Sequence, residues 1–244
     1  MTGAFTGMRA VVTGASSGIG RAIALELAAG GAGVWLVARR ADALEATAAA
    51  ARRSGGCVQS CPLDVCDDAE LGRLRDRVQQ EHDGLDILVH GAGTHFLGAV
   101  ADAPVAQFDQ QYQVNVRGPY VLTQLLLPML RARRGQIVFV NSSVGLQGGA
   151  RARVGAYAAT KHALRALADA LRDEVNPDGV RVLSVYPGRT ATPQQAAIHA
   201  AEGKPYRPER LLQPEDVAAT VVQALAMGRT AEITDLRVRP MQKA

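Results

Sequence analysis

The sequence lacks the features of a membrane-embedded or exported protein. None of its apolar runs approaches the ~18–20 residues of a membrane span, and the run at 125–130 is interrupted by Pro128. The first residues, Met-Thr-Gly-Ala-Phe-Thr-Gly-Met, have no basic start and no separate apolar segment, so we expect no signal peptide. These absences predict a cytoplasmic protein with no membrane partner.

Cysteine is scarce, with Cys57, Cys61 and Cys66 within ten residues. An odd count and no export signal argue against a disulfide framework. No His pair lies nearby to complete a zinc site. We favour small half-buried residues around a strand over a redox or metal-binding role, and we predict no metal.

Lysine is also scarce, since 3 Lys accompany 24 Arg, and the net charge is +4. Nucleic-acid binding requires basic residues clustered on one face, whereas these arginines are scattered. The densest group, Arg131, Arg133 and Arg134, ends a helical pattern, where cations oppose the negative end of the helix dipole. We therefore predict no nucleic-acid partner; such binding would show a strongly salt-dependent affinity.

Strand-like apolar runs alternate with helical spacing along 244 residues that are 48% hydrophobic and 20% charged. Helices are predicted at 19–29, 42–53, 69–80, 155–175 and 214–226, with one or two more in 108–133, and 187–212 is predicted to be irregular. Strands are predicted at 9–13, 34–37, 58–65, 86–89, 136–140, 180–185 and 233–238. This alternation predicts an α/β fold: one doubly wound, Rossmann-type domain over 1–244, with a mainly parallel seven-stranded sheet and helices on both faces.

A glycine-rich turn, Thr-Gly-Ala-Ser-Ser-Gly-Ile-Gly at 13–20, joins the first strand to the first helix. In this context Gly14 makes the tight turn, Gly18 lets the backbone approach a pyrophosphate, and Gly20 allows close packing of helix on strand. The helix N-terminus favours the anion. The turn predicts a dinucleotide site that also includes Ser16, Ser17 and Ile19.

The end of the second strand reads Ala38-Arg39-Arg40. An NAD site usually has an acidic side chain here for the ribose 2′-hydroxyl, which Ala38 cannot supply. Arg39 and Arg40 can pair with a 2′-phosphate through charge-assisted hydrogen bonds. The sequence therefore predicts NADP rather than NAD, the other interpretation being two solvated arginines.

Tyr157 and Lys161 are four residues apart in a predicted helix and share a face. A cation beside a phenol stabilises the phenolate and lowers its pKa from ~10. Such a pair can act as a general acid or base. Alone, the spacing is also typical of an exposed helical pair.

Eight elements of the chain occur in a shared order and spacing. They are the turn at 13–20, Asp64-Val65, Gly91-Ala92-Gly93, Asn115, Ser142, Tyr157, Lys161 and Pro187-Gly188. In this combination the chain resembles the short-chain dehydrogenase/reductase family, in its compact single-domain branch. The likeness extends over residues 9–225, nearly the whole chain.

The resemblance implies a role for each catalytic position. Tyr157 would exchange the substrate proton, and Lys161 would bind the nicotinamide ribose and lower the Tyr157 pKa. Asn115 would hold a water in a proton relay through Lys161. Ser142 would hydrogen-bond the substrate oxygen; Ser143 is the alternative, disfavoured because a strand end fixes position better than a loop.

The resemblance also implies cofactor contacts after other strands. Asp64 would contact the adenine amine, with Val65 beside it. The family's Pro-Gly-x-x-x-Thr pattern would border the nicotinamide amide. The implied cofactor residues, besides the turn and the two arginines, are Asp64, Val65, Gly91, Ala92, Gly93, Asn115, Tyr157, Lys161, Pro187, Gly188, Thr190 and Thr192.

The chain departs from the family at one place. The family commonly has Asn-Asn-Ala-Gly after the fourth strand, whereas this chain has His90-Gly91-Ala92-Gly93. We interpret His90 as a packed structural residue that replaces one bracing bond. Residues 189–213 fall where the family has its substrate lid. The cationic side chains of this segment, with Arg151 and Arg153, could favour an anionic substrate; the other interpretation is a solvated loop with no such role.

The implied function is hydride transfer between NADP(H) and a carbonyl or secondary alcohol, in a homodimer or homotetramer built on the helices of 108–133 and 155–175. The alternative is a dinucleotide-binding regulatory protein without turnover, since one fold hosts both. The set of Asn115, Ser142, Tyr157 and Lys161 favours the enzyme, because a binder has no need of a proton relay. Substrate identity, direction and pathway do not follow from the sequence.

Overall fold

The structure is a computed structural model that describes residues 3–146, 148 and 151–242. Parallel strands form the centre of the molecule. Within those residues the strands number seven: β1 (Arg9–Thr13), β2 (Gly33–Ala38), β3 (Cys57–Pro62), β4 (Ile87–His90), β5 (Gln136–Val140), β6 (Arg181–Pro187) and β7 (Asp235–Val238). Their order is β3-β2-β1-β4-β5-β6-β7, with every pairing parallel. The predicted fold class is confirmed, and the sheet order reverses between β1 and β4, where such folds bind ligands.

Helices cover both faces of the sheet. They are α1 (Gly18–Ala29), α2 (Ala41–Arg53), α3 (Asp68–Glu81), α4 (Val105–Tyr112), α5 (Gly118–Arg133), α6 (Gly155–Val175), α7 (Pro193–Ala201) and α8 (Pro214–Leu225). Successive strand residues serve opposite cores: Val12 packs with Leu27 of α1 and Val221 of α8, and Val11 packs with Leu74 of α3. This two-sided burial explains the continuous apolar strands in the sequence.

The prediction of an irregular segment at 187–212 was wrong. Helix α7 occupies its middle, and a 3₁₀ turn follows at Pro208–Arg210. Thr192 caps α7 by accepting a hydrogen bond from the Gln195 amide at 3.1 Å, and Pro193 occupies the first turn, where its missing N–H costs nothing. The Pro and Gly residues around this helix mark its ends rather than a loop.

A π-helical turn, Gln113–Arg117, joins α4 to α5. The segment predicted as one or two helices at 108–133 is therefore two helices, and the first begins at Val105, three residues before the predicted start. Asn115 lies fully buried at its centre. The Asn115 amide accepts from the Thr94 backbone at 2.8 Å and donates to the Thr94 carbonyl at 2.9 Å and the Thr160 hydroxyl at 3.1 Å. The turn thereby ties the segment after β4 to α6, a use typical of π-bulges near functional sites.

The buried Thr13 hydroxyl braces the ends of β1 and β4. It donates to the Val89 carbonyl at 3.3 Å and accepts from the amides of Gly91 at 3.1 Å and Ala92 at 3.2 Å. The Thr13 hydroxyl therefore joins β1 to the chain where it leaves β4.

His90 is a packed core residue, as predicted. Its Nε2 hydrogen-bonds the Thr123 hydroxyl at 2.9 Å, and its ring stacks on Phe139 at 4.8 Å. Burial lowers the His90 pKa to about 3, so the ring is neutral at physiological pH. The ring braces β4 from the side of α5.

The basic residues at the end of α5 are engaged within the fold. Arg131 pairs with Asp178 at 2.7 Å and Arg133 with Asp86 at 3.2 Å, while Arg134 ends the helix in a left-handed conformation. Among the described residues, no helix has both the length and the apolar character to cross a membrane.

Cys57 is exposed, Cys61 buried and Cys66 half-buried, and all three are free thiols. Burial raises the pKa of Cys66 to about 11, which makes a reactive thiolate unfavourable. Over the described ranges, no group of three His, Cys, Asp or Glu side chains is placed to hold a metal ion.

Thr13→Val tests the brace between β1 and β4. Valine keeps the shape but leaves the Gly91 and Ala92 amides without their partner, so we expect the free energy of unfolding to fall by about 1–3 kcal/mol in urea titrations. Thr13→Ser keeps the hydroxyl and serves as the control. A Val variant as stable as the Ser variant would show that the hydroxyl does not brace these strands.

Candidate active site

A cleft of about 1180 Å³ opens at the carboxyl ends of the strands, around the reversal between β1 and β4. Its volume exceeds that of ordinary small-ligand pockets and suits a dinucleotide together with a second molecule. The predicted site residues that line it are Gly14, Ser16, Ser17, Gly18, Ile19, Gly20, Arg39, Arg40, Asp64, Val65, Gly91, Ala92, Gly93, Ser142, Tyr157, Lys161, Pro187, Gly188, Thr190 and Thr192. Asn115 lies behind the wall of the cleft, so its predicted part in a relay stays a prediction.

Three glycines bring backbone against backbone at the head of the cleft. Gly14 has φ +70°, and a Cβ there would lie 2.5 Å from the Gly91 carbonyl oxygen. A Cβ on Gly20 would lie 2.5 Å from the Gly14 carbonyl oxygen. Side chains are thus excluded where β1, α1 and β4 meet, as the sequence motif requires.

The N-terminus of α1 is suited to an anion. Ser17 is the N-cap residue with extended backbone, its side chain makes no capping bond, and the fully described first turn contains no acidic residue. The first amides of α1 therefore have no side-chain acceptor competing with a phosphate. A Cβ on Gly18 would lie 2.9 Å from the Thr192 methyl, so the cap of α7 stands close to this turn.

Two arginines follow β2 at the adenosine side of the cleft. Arg39 and Arg40 are exposed, and Arg40 is the N-cap residue of α2. Over the part of the chain that the structure describes, no ion pair engages the Arg39 guanidinium, so its donors are accessible to a phosphate. After the neighbouring strand β3, the Asp64 carboxylate accepts from the Cys66 amide at 3.0 Å.

Ser142 and Tyr157 meet at the other end of the cleft. The Ser142 side chain approaches the Tyr157 phenol closely enough to lower its pKa. Asn141 holds the serine by accepting from the Ser142 amide at 2.9 Å, and it donates to the Lys161 carbonyl of α6 at 3.1 Å. Ser143, the alternative serine, begins the adjoining 3₁₀ turn.

Asn141 was missed by sequence reasoning. Its signal is a polar side chain at the end of an apolar strand, beside a serine. Its bonds to the Ser142 amide and to the Lys161 carbonyl tie Ser142 to the helix that carries Tyr157.

Lys161 is buried beneath the tyrosine. Its Nζ donates to the Val140 carbonyl at 3.0 Å and lies 5.7 Å from the centre of the Tyr157 ring. Burial lowers the Lys161 pKa to about 8. The ammonium is therefore easily deprotonated, and it is turned toward a backbone carbonyl rather than the phenol oxygen.

The expectation that Lys161 lowers the Tyr157 pKa is not met in this structure. Burial raises the Tyr157 pKa to about 12, against the hydrogen bond from Ser142, which lowers it. A buried phenolate lacks the solvation that stabilises it in water, and this loss outweighs one neutral hydrogen bond. The phenol is thus a protonated group held ready to donate.

A second residue that sequence reasoning missed is His95. Its ring stacks on Tyr157, with centroids 3.9 Å apart and planes within 15°. Burial lowers the His95 pKa to about 4, the cations Lys161 and Arg189 act in the same direction, and Glu202 opposes them. The signal was a histidine two residues beyond Gly93, in a segment that already borders the cleft.

Charged residues close the cleft on the side of α7. Arg189 donates to both Glu202 oxygens, at 2.8 and 3.1 Å, and its other nitrogen lies 3.3 Å from the His199 ring. Lys204 pairs with the same carboxylate at 3.1 Å. The ends of the segment are joined where the Ala191 amide donates to the Leu212 carbonyl at 2.7 Å. These bonds fix α7 over the cleft.

Known proteins share this sequence pattern. A family model for short chain dehydrogenases matches residues 8–203. An uncharacterized oxidoreductase of Staphylococcus aureus is 33% identical over 233 residues, 95% of this chain and 96% of that protein. Glycine betaine reductase ATRR of Emericella nidulans is 35% identical over 244 residues, which are 98% of this chain and 19% of that much longer protein.

The fold is shared with solved structures as well. A short chain dehydrogenase of Burkholderia cenocepacia, solved in complex with NADP, superposes with a TM-score of 0.84 at 32% identity, covering 96% of this chain and 97% of that one. The span matched by the family model, the order of the strands and the position of the cleft all agree with this family. This chain belongs to the short-chain dehydrogenase family of oxidoreductases.

Proposed function

We propose that the protein reduces a ketone or aldehyde with NADPH, and oxidises the corresponding alcohol in reverse. The observation that carries this is the placement of Ser142 beside Tyr157, in one cleft with a glycine turn shaped for a pyrophosphate. A protein that only bound the dinucleotide would have no use for a protonated phenol there. No contact described above favours such a binder.

The residues present fit NADPH. The uncapped first turn of α1 suits the pyrophosphate, and Arg39 with Arg40 suits the 2′-phosphate. The NADP in the Burkholderia cenocepacia structure supports this assignment. Asp64 and Val65 would lie along the adenine. At the other end, Lys161 would hold the nicotinamide ribose beside Pro187, Gly188, Thr190 and Thr192. When bound, the nicotinamide supplies the hydride.

Tyr157 is the proton donor in this proposal. A carbonyl oxygen between Ser142 and Tyr157 accepts two hydrogen bonds, and both strengthen as negative charge develops on it. Because burial raises the Tyr157 pKa to about 12, the phenol keeps its proton at neutral pH and has it available for the reduced oxygen. Lys161 and the water that Asn115 would hold resupply the proton.

Substrate selection belongs to residues 189–213 in this proposal. The ion pairs of Arg189 and Lys204 with Glu202 hold α7 against the cleft, so this segment acts as a lid within the single domain of 1–244. Assembly as a homodimer or homotetramer is supported by the exposed aromatic side chains Phe108 and Tyr112 of α4 and Tyr120 of α5. These helices lie in the segment predicted for assembly.

Tyr157→Phe separates proton donation from packing. The ring remains, so we expect unchanged thermal unfolding and NADPH affinity, with kcat for the best carbonyl substrate lowered ~10²–10⁴-fold. Lys161→Ala should lose both turnover and NADPH affinity. Tyr186→Phe, at a buried tyrosine of β6 outside the cleft, is the control. Near-normal turnover by Tyr157→Phe would contradict the mechanism.

Arg39→Ala tests the cofactor preference. Losing a charge-assisted bond to the 2′-phosphate should weaken NADPH binding by ~10–100-fold and leave NADH binding unchanged, as read by cofactor fluorescence. Adding Ala38→Asp should turn the preference toward NADH. Arg53→Ala, exposed at the far end of α2, controls for lost charge alone. Equal affinity of the wild type for both cofactors would contradict the assignment.

The pH profile tests Lys161. Its pKa is lowered to about 8, so kcat/KM for NADPH should fall as pH rises through that value, because the ammonium that binds the ribose loses its proton. Tyr157, with a pKa of about 12, should produce no fall below pH 10. In Lys161→Arg the guanidinium stays charged, so residual kcat/KM should lack this fall. The same fall in that variant would assign it to another group.

A further inference from the structure

His95 has a buried nitrogen without a partner. Four buried side-chain atoms of the described residues lack a hydrogen bond: His95 Nε2, Arg181 Nε, Ser184 Oγ and Tyr186 Oη. Of these residues, His95 alone lines the cleft. A buried polar group without a partner is unfavourable, so Nε2 marks a place where a bound molecule gains a hydrogen bond.

The His95 side chain lies at the end of the cleft that holds Tyr157. The imidazole is stacked on the Tyr157 phenol at 3.9 Å, so it stands beside the hydroxyl that meets the carbonyl oxygen. A substituent that reaches Nε2 from a carbonyl held at Tyr157 is attached close to the reacting carbon. The apolar side chains of Val144 and Leu146 also line the cleft and accommodate carbon on the other sides.

The His95 imidazole is neutral, and it suits an uncharged group of the substrate. The groups that face it are Lys161, Arg189 and Glu202, and the first two hold its pKa down. Arg189 is already bonded to both Glu202 oxygens. A neutral imidazole offers one donor and one acceptor nitrogen. These facts favour an uncharged hydroxyl or carbonyl oxygen over a substrate carboxylate at this position.

Building on the proposed reductase function, we propose that His95 is a specificity-determining residue whose Nε2 hydrogen-bonds a second oxygen next to the reacting carbonyl. The substrate class is then α-hydroxy ketones and 1,2-dicarbonyl compounds. A monofunctional ketone leaves Nε2 without a partner. Sites built to hydrogen-bond a substrate group discriminate against analogues that lack it.

A matched pair of substrates tests this assignment: 2-hydroxycyclohexanone and cyclohexanone, which differ by one oxygen. The quantity compared is the ratio of kcat/KM for the hydroxy ketone to that for the plain ketone, with NADPH. The wild type should show a ratio of ~10 or more, as one hydrogen bond to an otherwise unpaired group confers. His95→Phe keeps a stacked ring without nitrogen and should bring the ratio to ~1.

Two further variants make the result specific. His95→Gln places an amide nitrogen near Nε2 and should restore part of the preference for the hydroxy ketone. His162→Phe changes an exposed histidine of α6 and should leave the ratio at the wild-type value. A ratio that His95→Phe leaves unchanged, or a wild type that does not prefer the hydroxy ketone, overturns the assignment.

Binding measurements separate this assignment from the proposed function. Ligand-observed NMR with NADP⁺ present reads the affinity of both compounds for wild type and His95→Phe without turnover. Weaker binding of the hydroxy ketone alone in the variant supports the role of His95, even if no ketone is reduced and the reductase proposal fails. Equal binding of both compounds by both proteins overturns the role of His95 and leaves the reductase proposal to its own tests.

Discussion

The close approach of three backbone segments at Gly14, Gly20 and Gly91 determines the arrangement of the cleft. Contacts of 2.5–2.6 Å to a hypothetical Cβ leave no room for any side chain there. Because β1, α1 and β4 meet without side chains, the N-terminus of α1 points into the cleft with its amides exposed. The Thr13 hydroxyl then fixes the exit of β4 by holding the amides of the segment that carries His95.

The opposite wall depends on polar contacts of buried side chains. Asn141 joins the Ser142 amide to the Lys161 carbonyl, and Asn115 joins Thr94 to Thr160, the residue before Lys161 in α6. Both amides replace water as hydrogen-bonding partners, so the wall is rigid without filling the cleft. This rigidity keeps the serine and tyrosine oxygens in register at the end of the sheet, where the proposed reaction needs them.

The sequence predicted the fold and the cleft residues well because both depend on local patterns. Apolar runs mark strands that are buried on two sides. The glycine turn lies between the first strand and the first helix, which is the context of a dinucleotide site. The protonation states could not be predicted from the sequence. Lys161 lies one helical turn from Tyr157, yet burial raises the Tyr157 pKa, and the ammonium donates to the Val140 carbonyl. Helix α7 was missed although its start signals are local: Thr192 caps the helix and Pro193 occupies its first turn, but the Pro and Gly residues on either side were interpreted as a loop. The stacking of His95 on Tyr157 joins residues 62 positions apart, which periodicity cannot show.

The central claim is that a hydride passes from NADPH to a carbonyl carbon within this cleft. The most direct measurement uses NADPH carrying two deuterium atoms at nicotinamide C4, with 2-hydroxycyclohexanone as the acceptor and mass spectrometry of the product. The account predicts a diol with one deuterium on the newly formed carbinol carbon, lost when Tyr157 is replaced by Phe. A deuterium-free diol, or cofactor oxidation without any diol, would contradict it.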